Sequence, residues 1–212
     1  NGGAPPAHPF STIPSLPVQS GIIAYQGDSL TVGSNATIPY PTKCSQLMAA
    51  TGSYAHRMYG AGGQTLVNML ANASVGIDPY YRAANAQNDL MAWGGTNDLY
   101  GGASAATTIS NYATYCAARK AIGWKVVAMT ILPRSNAGTP VDFEVNRILV
   151  NASIVTNWAT YADALADVAA DSRIGDAGDE LDTTYYDADK VHPKNAGYAI
   201  VAGIAQTAIL TL

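Results

Sequence analysis

Charge is scarce in this sequence. Of its 212 residues only 12% are Asp, Glu, Lys or Arg, about half of the ~25% usual for soluble domains. The 11 basic residues against 15 acidic ones give a net charge of -4. That offers no basic footprint for a phosphate backbone and argues against nucleic acid as a partner. Two cysteines are too few for a disulfide-built mini-fold or a four-cysteine zinc site. The three histidines, His8, His56 and His192, form no HExxH or HxH spacing. This argues against a dedicated metal enzyme, and no cofactor is expected. No apolar run reaches the ~20 residues of a membrane span. The nearest, Ala196 to Leu212, falls short and contains Tyr198 and Gln206. The chain starts at Asn1 without a charged segment leading into an apolar one, as expected of a processed form. Phenylalanine is nearly missing, 2 residues against 13 tyrosines. A polar, uncharged surface of that kind fits a secreted or extracellular protein.

What is present is enough for one sizeable core: 48% of the residues are hydrophobic, and the length corresponds to a single domain at ~150 residues each. Pro5, Pro6, Pro9, Pro14 and Pro17 mark residues 1–19 as an extended arm or linker, because proline supports neither helix nor central strand. Residues 20–212 read as the domain. Short apolar runs at Gly21–Gln26, His56–Tyr59, Asp89–Trp93, Lys125–Leu132 and Ala164–Ala169 read as strands. Helices are expected over Tyr40–Ala50, Gln64–Ala73, Ala105–Ile122, Val141–Trp158 and Lys194–Leu210. Strands alternating with helices, each bounded by glycine or proline, predict an α/β fold with a mostly parallel sheet.

In such folds chemistry sits outside the carboxyl ends of the strands. Four loops lie there. Gly27-Asp28-Ser29-Leu30-Thr31-Val32-Gly33 places a serine directly after a strand, where its hydroxyl is exposed, as a nucleophile requires. Gly60-Ala61-Gly62-Gly63-Gln64-Thr65 offers backbone N–H groups with no side chain in the way. In Gly94-Gly95-Thr96-Asn97-Asp98 an asparagine amide can donate to a developing oxyanion. In Asp187 to Pro193, Asp189 stands three residues before His192, the spacing at which a carboxylate orients an imidazole base. Each alone is also what an ordinary turn looks like; the four together are far more specific.

Their order and content resemble the SGNH (GDSL) family of serine hydrolases. GDSLTVG carries Ser29, GGQT carries Gly63, GGTND carries Asn97 and DKVHP carries Asp189 and His192. The resemblance implies a three-layer α/β/α sandwich whose parallel sheet of about five strands is flavodoxin-like in order. It implies a Ser29–His192–Asp189 triad, and an oxyanion hole made by the Ser29 and Gly63 N–H groups and the Asn97 side chain. The activity implied is hydrolysis of carboxylic esters. The expected substrates are short acyl or aryl esters, or acetyl groups on carbohydrate. A non-catalytic carbohydrate-binding or virion-structural module on the same fold is the alternative. In the implied winding order Cys44 and Cys116 fall on opposite faces of the sheet, as two free, buried thiols.

Leu30, Tyr100, Tyr185 and Tyr186 flank these loops and are the candidate pocket residues; the tyrosines either line an acyl or sugar pocket or are ordinary surface residues. Asp28 is expected to brace its turn and Asp98 to cap or tie its loop. His56 and Trp93 read as packing residues. Asn35, Asn72 and Asn151 each begin an N-x-Ser/Thr glycosylation pattern.

Overall fold

Strand β1 (Gly21–Gly27) is buried along its whole length, which is why it reads as a continuous apolar run with no polar alternation. It opens the part of the chain, residues 21–212, that the computed structural model describes. The proline-rich arm assigned to residues 1–19, with His8, lies outside the described residues. Four further strands, β2 (Tyr54–Gly60), β3 (Gln87–Trp93), β4 (Lys125–Met129) and β5 (Ala164–Ala166), complete one parallel sheet in the order β2-β1-β3-β4-β5. This is the flavodoxin-like order. The register sets Gly27 opposite both Gly60 and Trp93, so β1, β2 and β3 end level at one edge.

The helices are α1 (Ser29–Val32), α2 (Tyr40–Met48), α3 (Leu66–Asn72), α4 (Thr96–Tyr100), α5 (Ala105–Ile122), α6 (Phe143–Asn157) and α7 (Asn195–Ile209). Successive strand side chains point to opposite faces, and two cores follow from that. Ile22, Ala24, Leu90, Ala92, Val126 and Ala128 pack with α3, α5 and α6. Ile23, Tyr25, Met91, Trp93, Val127 and Met129 pack with α2 and α7. The result is three layers. Cys44 lies in the second core and Cys116 in the first, both free and buried. Burial pushes the Cys44 thiol up to about 11 and Cys116 higher still. Trp93 is core, its Nε1–H donating to Thr130 O at 2.9 Å. His56 stacks on Tyr25 and hydrogen-bonds its hydroxyl at 3.0 Å.

The structure departs from the sequence expectation in several places. β4 stops at Met129 instead of reaching Leu132, because α6 takes over the backbone beyond it. Ile131 N–H donates to Asn151 Oδ1, and Ile131 O accepts from Arg147 and Asn151. β5 is three residues long and ends before Asp167, whose carboxylate accepts from Thr130 Oγ1 as the chain turns away. The segments read as loops after β1 and β3 contain α1 and α4. Asn151 is also excluded as a glycan acceptor in the folded chain, since it is buried with both amide atoms on Ile131.

Candidate active site

Gly27 ends β1 where a Cβ would come within 2.3 Å of both Thr31 Oγ1 and Trp93 O. Glycine is what lets the chain turn there. Asp28 then caps α1: its Oδ1 accepts from Leu30 N–H at 2.8 Å, and its backbone carbonyl accepts from Thr31 and Val32. Asp28 thus braces the turn, as expected. Ser29 becomes the first helical residue, its N–H without an acceptor among the described residues and its hydroxyl at the sheet edge.

The partner of that hydroxyl comes from the other end of the chain. Just before α7, between the bridged residues Tyr186 and Pro193, the chain makes a tight turn closed by Asp187 N–H donating to His192 O at 2.9 Å. Asp189 folds back over this turn. Its Oδ1 accepts from Val191 N–H at 2.9 Å and His192 N–H at 3.0 Å, and its Oδ2 meets His192 Nδ1 at 2.5 Å. With Nδ1 donating to the carboxylate, Nε2 is left as the acceptor for Ser29 Oγ, 2.8 Å away. Burial works against ionisation of Asp189, but the His192 and Val191 donors together outweigh it. They hold the carboxyl below its ordinary value.

Gly63 and Asn97 arrive on the two strands that flank β1. Gly63 has φ +74 and so sits in the left-handed region that favours glycine; Gly62 does not. The Gly63 N–H has no acceptor among the described residues. Asn97 Nδ2 donates to Gln64 O at 3.1 Å, which leaves its second N–H uncommitted and fixes the amide beside the Gly63 loop. Asp98 ties the same two loops, both of its oxygens accepting from Leu66 N–H at 3.0 and 3.3 Å.

Three of the four candidate pocket residues are corrected. Leu30 is 3% exposed and packs inward with Tyr25, Tyr40 and Met91 in the second core. Tyr186 is fully buried, its hydroxyl donating to Ile174 O. Its neighbour Tyr185 is half-buried and lines a separate hollow with Asp171, Arg173 and Ala196. Tyr100 is half-buried, its ring under the Arg134 guanidinium at 4.1 Å and its hydroxyl donating to Ala137 O. Sequence reasoning missed Arg134, Asn35 and Asn195. Arg134 reaches Asn136 Oδ1 at 3.0 Å, and its charge favours ionisation of Asp28. Asn35 donates to Asp189 Oδ2. Among the described residues no three His, Cys, Asp or Glu side chains cluster to hold a metal ion.

Burial raises the Asp28 carboxyl to about 7 against the cap bond to Leu30 and the Arg134 charge. From about 4, the ordinary unfolded value, to about 7, the folded chain keeps a proton that the unfolded chain has lost. Stability therefore falls as pH rises through this window. In Asp28→Asn the Oδ1 cap survives and the charge does not. Thermal unfolding is expected to show a midpoint close to the parent at about pH 4 and several degrees above it at pH 8. Equal midpoints at both pH values would remove Asp28 as the cause.

Residues 26–200 match the family model described as GDSL-like Lipase/Acylhydrolase family. No curated protein matches the chain. Among solved structures, a GDSL-like lipase from Bacteroides thetaiotaomicron superimposes with TM-score 0.66 at 18% identity, over 91% of this chain and 89% of that one. A psychrotrophic esterase from Pseudoalteromonas sp. gives 0.69 at 13% identity, over 90% and 97%. A family 3 carbohydrate esterase from Clostridium thermocellum gives 0.67 at 14% identity, over 90% and 95%. At these identities the likeness is one of fold.

Proposed function

From the premise that the chain belongs to the GDSL-like lipase/acylhydrolase family and is a serine esterase, we propose that Ser29, His192 and Asp189 form its catalytic triad and that it removes short acyl groups, acetyl included, from ester substrates. One observation carries this reading: the unbroken line from Ser29 Oγ to His192 Nε2 at 2.8 Å and from Nδ1 to Asp189 Oδ2 at 2.5 Å. Ser29 Oγ attacks the ester carbonyl as its proton passes to His192 Nε2. The oxygen of the tetrahedral intermediate takes up negative charge against the Ser29 and Gly63 N–H groups and the free Asn97 N–H. His192 returns the proton to the departing alcohol. Water, deprotonated by the same Nε2, then cleaves the acyl-enzyme and frees the acid and Ser29.

The rim supports small, polar substrates. Arg134 lies near enough for its charge to interact with Asp28 and Asp189, and Asn136 and Tyr100 are in contact with it, so guanidinium, amide and aromatic surface stand beside the triad. Acetylated carbohydrate fits that chemistry, and one structural neighbour is named as a carbohydrate esterase. The charge-poor, tyrosine-rich composition fits an extracellular place of action. The test is hydrolysis of p-nitrophenyl esters from acetate upward, followed by acetylated sugars. A rate highest for acetate and falling with chain length is expected; a preference for long acyl chains would overturn the short-acyl reading.

Removing one oxyanion donor typically costs ~10²–10³ in kcat. Asn97→Ala is expected to fall in that range with KM little changed. A loss under about threefold would place the oxyanion away from Asn97.

A further inference from the structure

Asn35 stands in the turn that joins α1 to α2, and its Nδ2 donates to Asp189 Oδ2 at 2.7 Å. That is the same oxygen that takes the His192 Nδ1–H. The other oxygen, Oδ1, is held by the N–H groups of Val191 and His192. The carboxylate therefore meets four donors, and three of them belong to its own turn. Only Asn35, 154 residues away, comes from the side of the nucleophile. A second tie lies along the same turn. Asn195, the first residue of α7, accepts from Thr37 and Ile38 N–H at 3.1 and 3.0 Å and donates to Thr37 Oγ1 at 2.7 Å. Asn35 itself has φ +65, in the left-handed region that asparagine enters more readily than other residues with side chains.

We propose that Asn35 is a positioning residue of the esterase reaction, acting through Asp189. The inference rests on the triad reading above. Two donors on one oxygen fix the rotation of the carboxylate about Cβ–Cγ, so Oδ2 stays in line with Nδ1–H and the imidazole keeps Nε2 aimed at Ser29. The turn that carries Asn35 continues directly from the helix that Ser29 begins. The same hydrogen bond thus sets the spacing between the nucleophile's turn and the Asp–His turn, which come from opposite ends of the domain. Asn195 holds the Asn35 turn against α7, so that an exposed side chain still meets its partner in one geometry.

Three variants separate this role from a purely conformational one. Asn35→Gly keeps the left-handed backbone and deletes the donor. Asn35→Ala deletes the donor and strains the backbone as well. Asn35→Asp keeps the shape and sets a like charge against Asp189. Steady-state kinetics on p-nitrophenyl acetate are read beside the far-downfield proton resonance of the His192 Nδ1–H, with the parent and Ser29→Ala as references. Asn35→Gly is expected to lose about tenfold in kcat with KM unchanged and its downfield resonance shifted or broadened. Asn35→Ala should lose at least as much, and Asn35→Asp should lose most. Parent-level kcat and an unmoved resonance in Asn35→Gly, with loss only in Asn35→Ala, would show that the position needs its backbone and not its amide, and would overturn the inference. If Ser29→Ala abolishes turnover while Asn35→Gly does not change it, only this inference fails. If Ser29→Ala keeps turnover, the triad reading fails and takes this one with it.

Discussion

Ser29→Ala and His192→Ala are each expected to lower kcat on p-nitrophenyl acetate by on the order of 10⁶-fold, the scale on which a triad serine or histidine acts in other serine hydrolases. The reason is in the geometry. Ser29 Oγ has His192 Nε2 as its hydrogen-bond partner, and the imidazole is held from its far side by Asp189. Neither half performs the attack alone: without Oγ there is no nucleophile, and without Nε2 the hydroxyl proton has no acceptor. The double variant should therefore be no worse than either single one, because the two act as a unit. The fold should survive the serine change. Ser29 is half-buried, and the cap that begins α1 is made by Asp28, not by the serine side chain. A thermal midpoint within a few degrees of the parent is expected, and a fluorophosphonate should label the parent and not Ser29→Ala. Retained turnover in either variant, with the protein folded and free of contaminating esterase, would remove that residue from the mechanism.

How far the sequence reaches depends on the range of the interactions involved. Ser29 was legible because everything that exposes it is local: a buried strand, Gly27 at a point too crowded for a Cβ, and an Asp28 cap two residues from its donor. Asp189 and His192 were legible because their bond closes within one turn. The layers, and the separation of Cys44 from Cys116, were legible through the family resemblance and the winding order it implies, and the two cores bear both out. Tyr186 shows where such reasoning fails. Closeness in sequence to the Asp–His turn stood in for closeness in space, but the bridge to Pro193 carries its side chain inward, into the core under the sheet. Leu30 failed in the same way, one residue from the nucleophile but turned about 100° round the helix from it, into the core. Asn35 left only a glycosylation-like pattern in the sequence. Its hydrogen bond to Asp189 joins residues that no short-range periodicity connects. β4 looked longer than it is because Thr130, Ile131 and Leu132 are as buried as a strand, though α6 side chains and not a neighbouring strand satisfy Ile131.

Asp189→Asn is the substitution from which the donor geometry allows the sharpest expectation. All four groups that reach the carboxylate are donors: Val191 N–H and His192 N–H on Oδ1, the His192 ring and Asn35 on Oδ2. A carboxylate can accept from all of them; an amide cannot. If the amide NH₂ took the place of Oδ1, it would oppose two backbone donors. If it took the place of Oδ2, it would oppose Asn35 and turn His192 to the tautomer with the proton on Nε2, which cannot accept from Ser29. Either placement also removes the negative charge that stabilises the imidazolium during the reaction. A fall of roughly 10⁴ in kcat is expected, the size seen when the same change is made in another triad. It should be less complete than Ser29→Ala, because nucleophile and base both remain. The same variant has a second signature. The Asp189 carboxyl is held low in the folded chain, so between that value and the ordinary ~3.9 the unfolded chain binds more protons. Stability that is present above this window is lost as the pH falls through it. Asp189→Asn should therefore unfold with a flatter acid dependence than the parent below about pH 4. A kcat within tenfold of the parent, with acid unfolding unchanged, would mean that the carboxylate neither orients His192 nor carries charge in the folded protein.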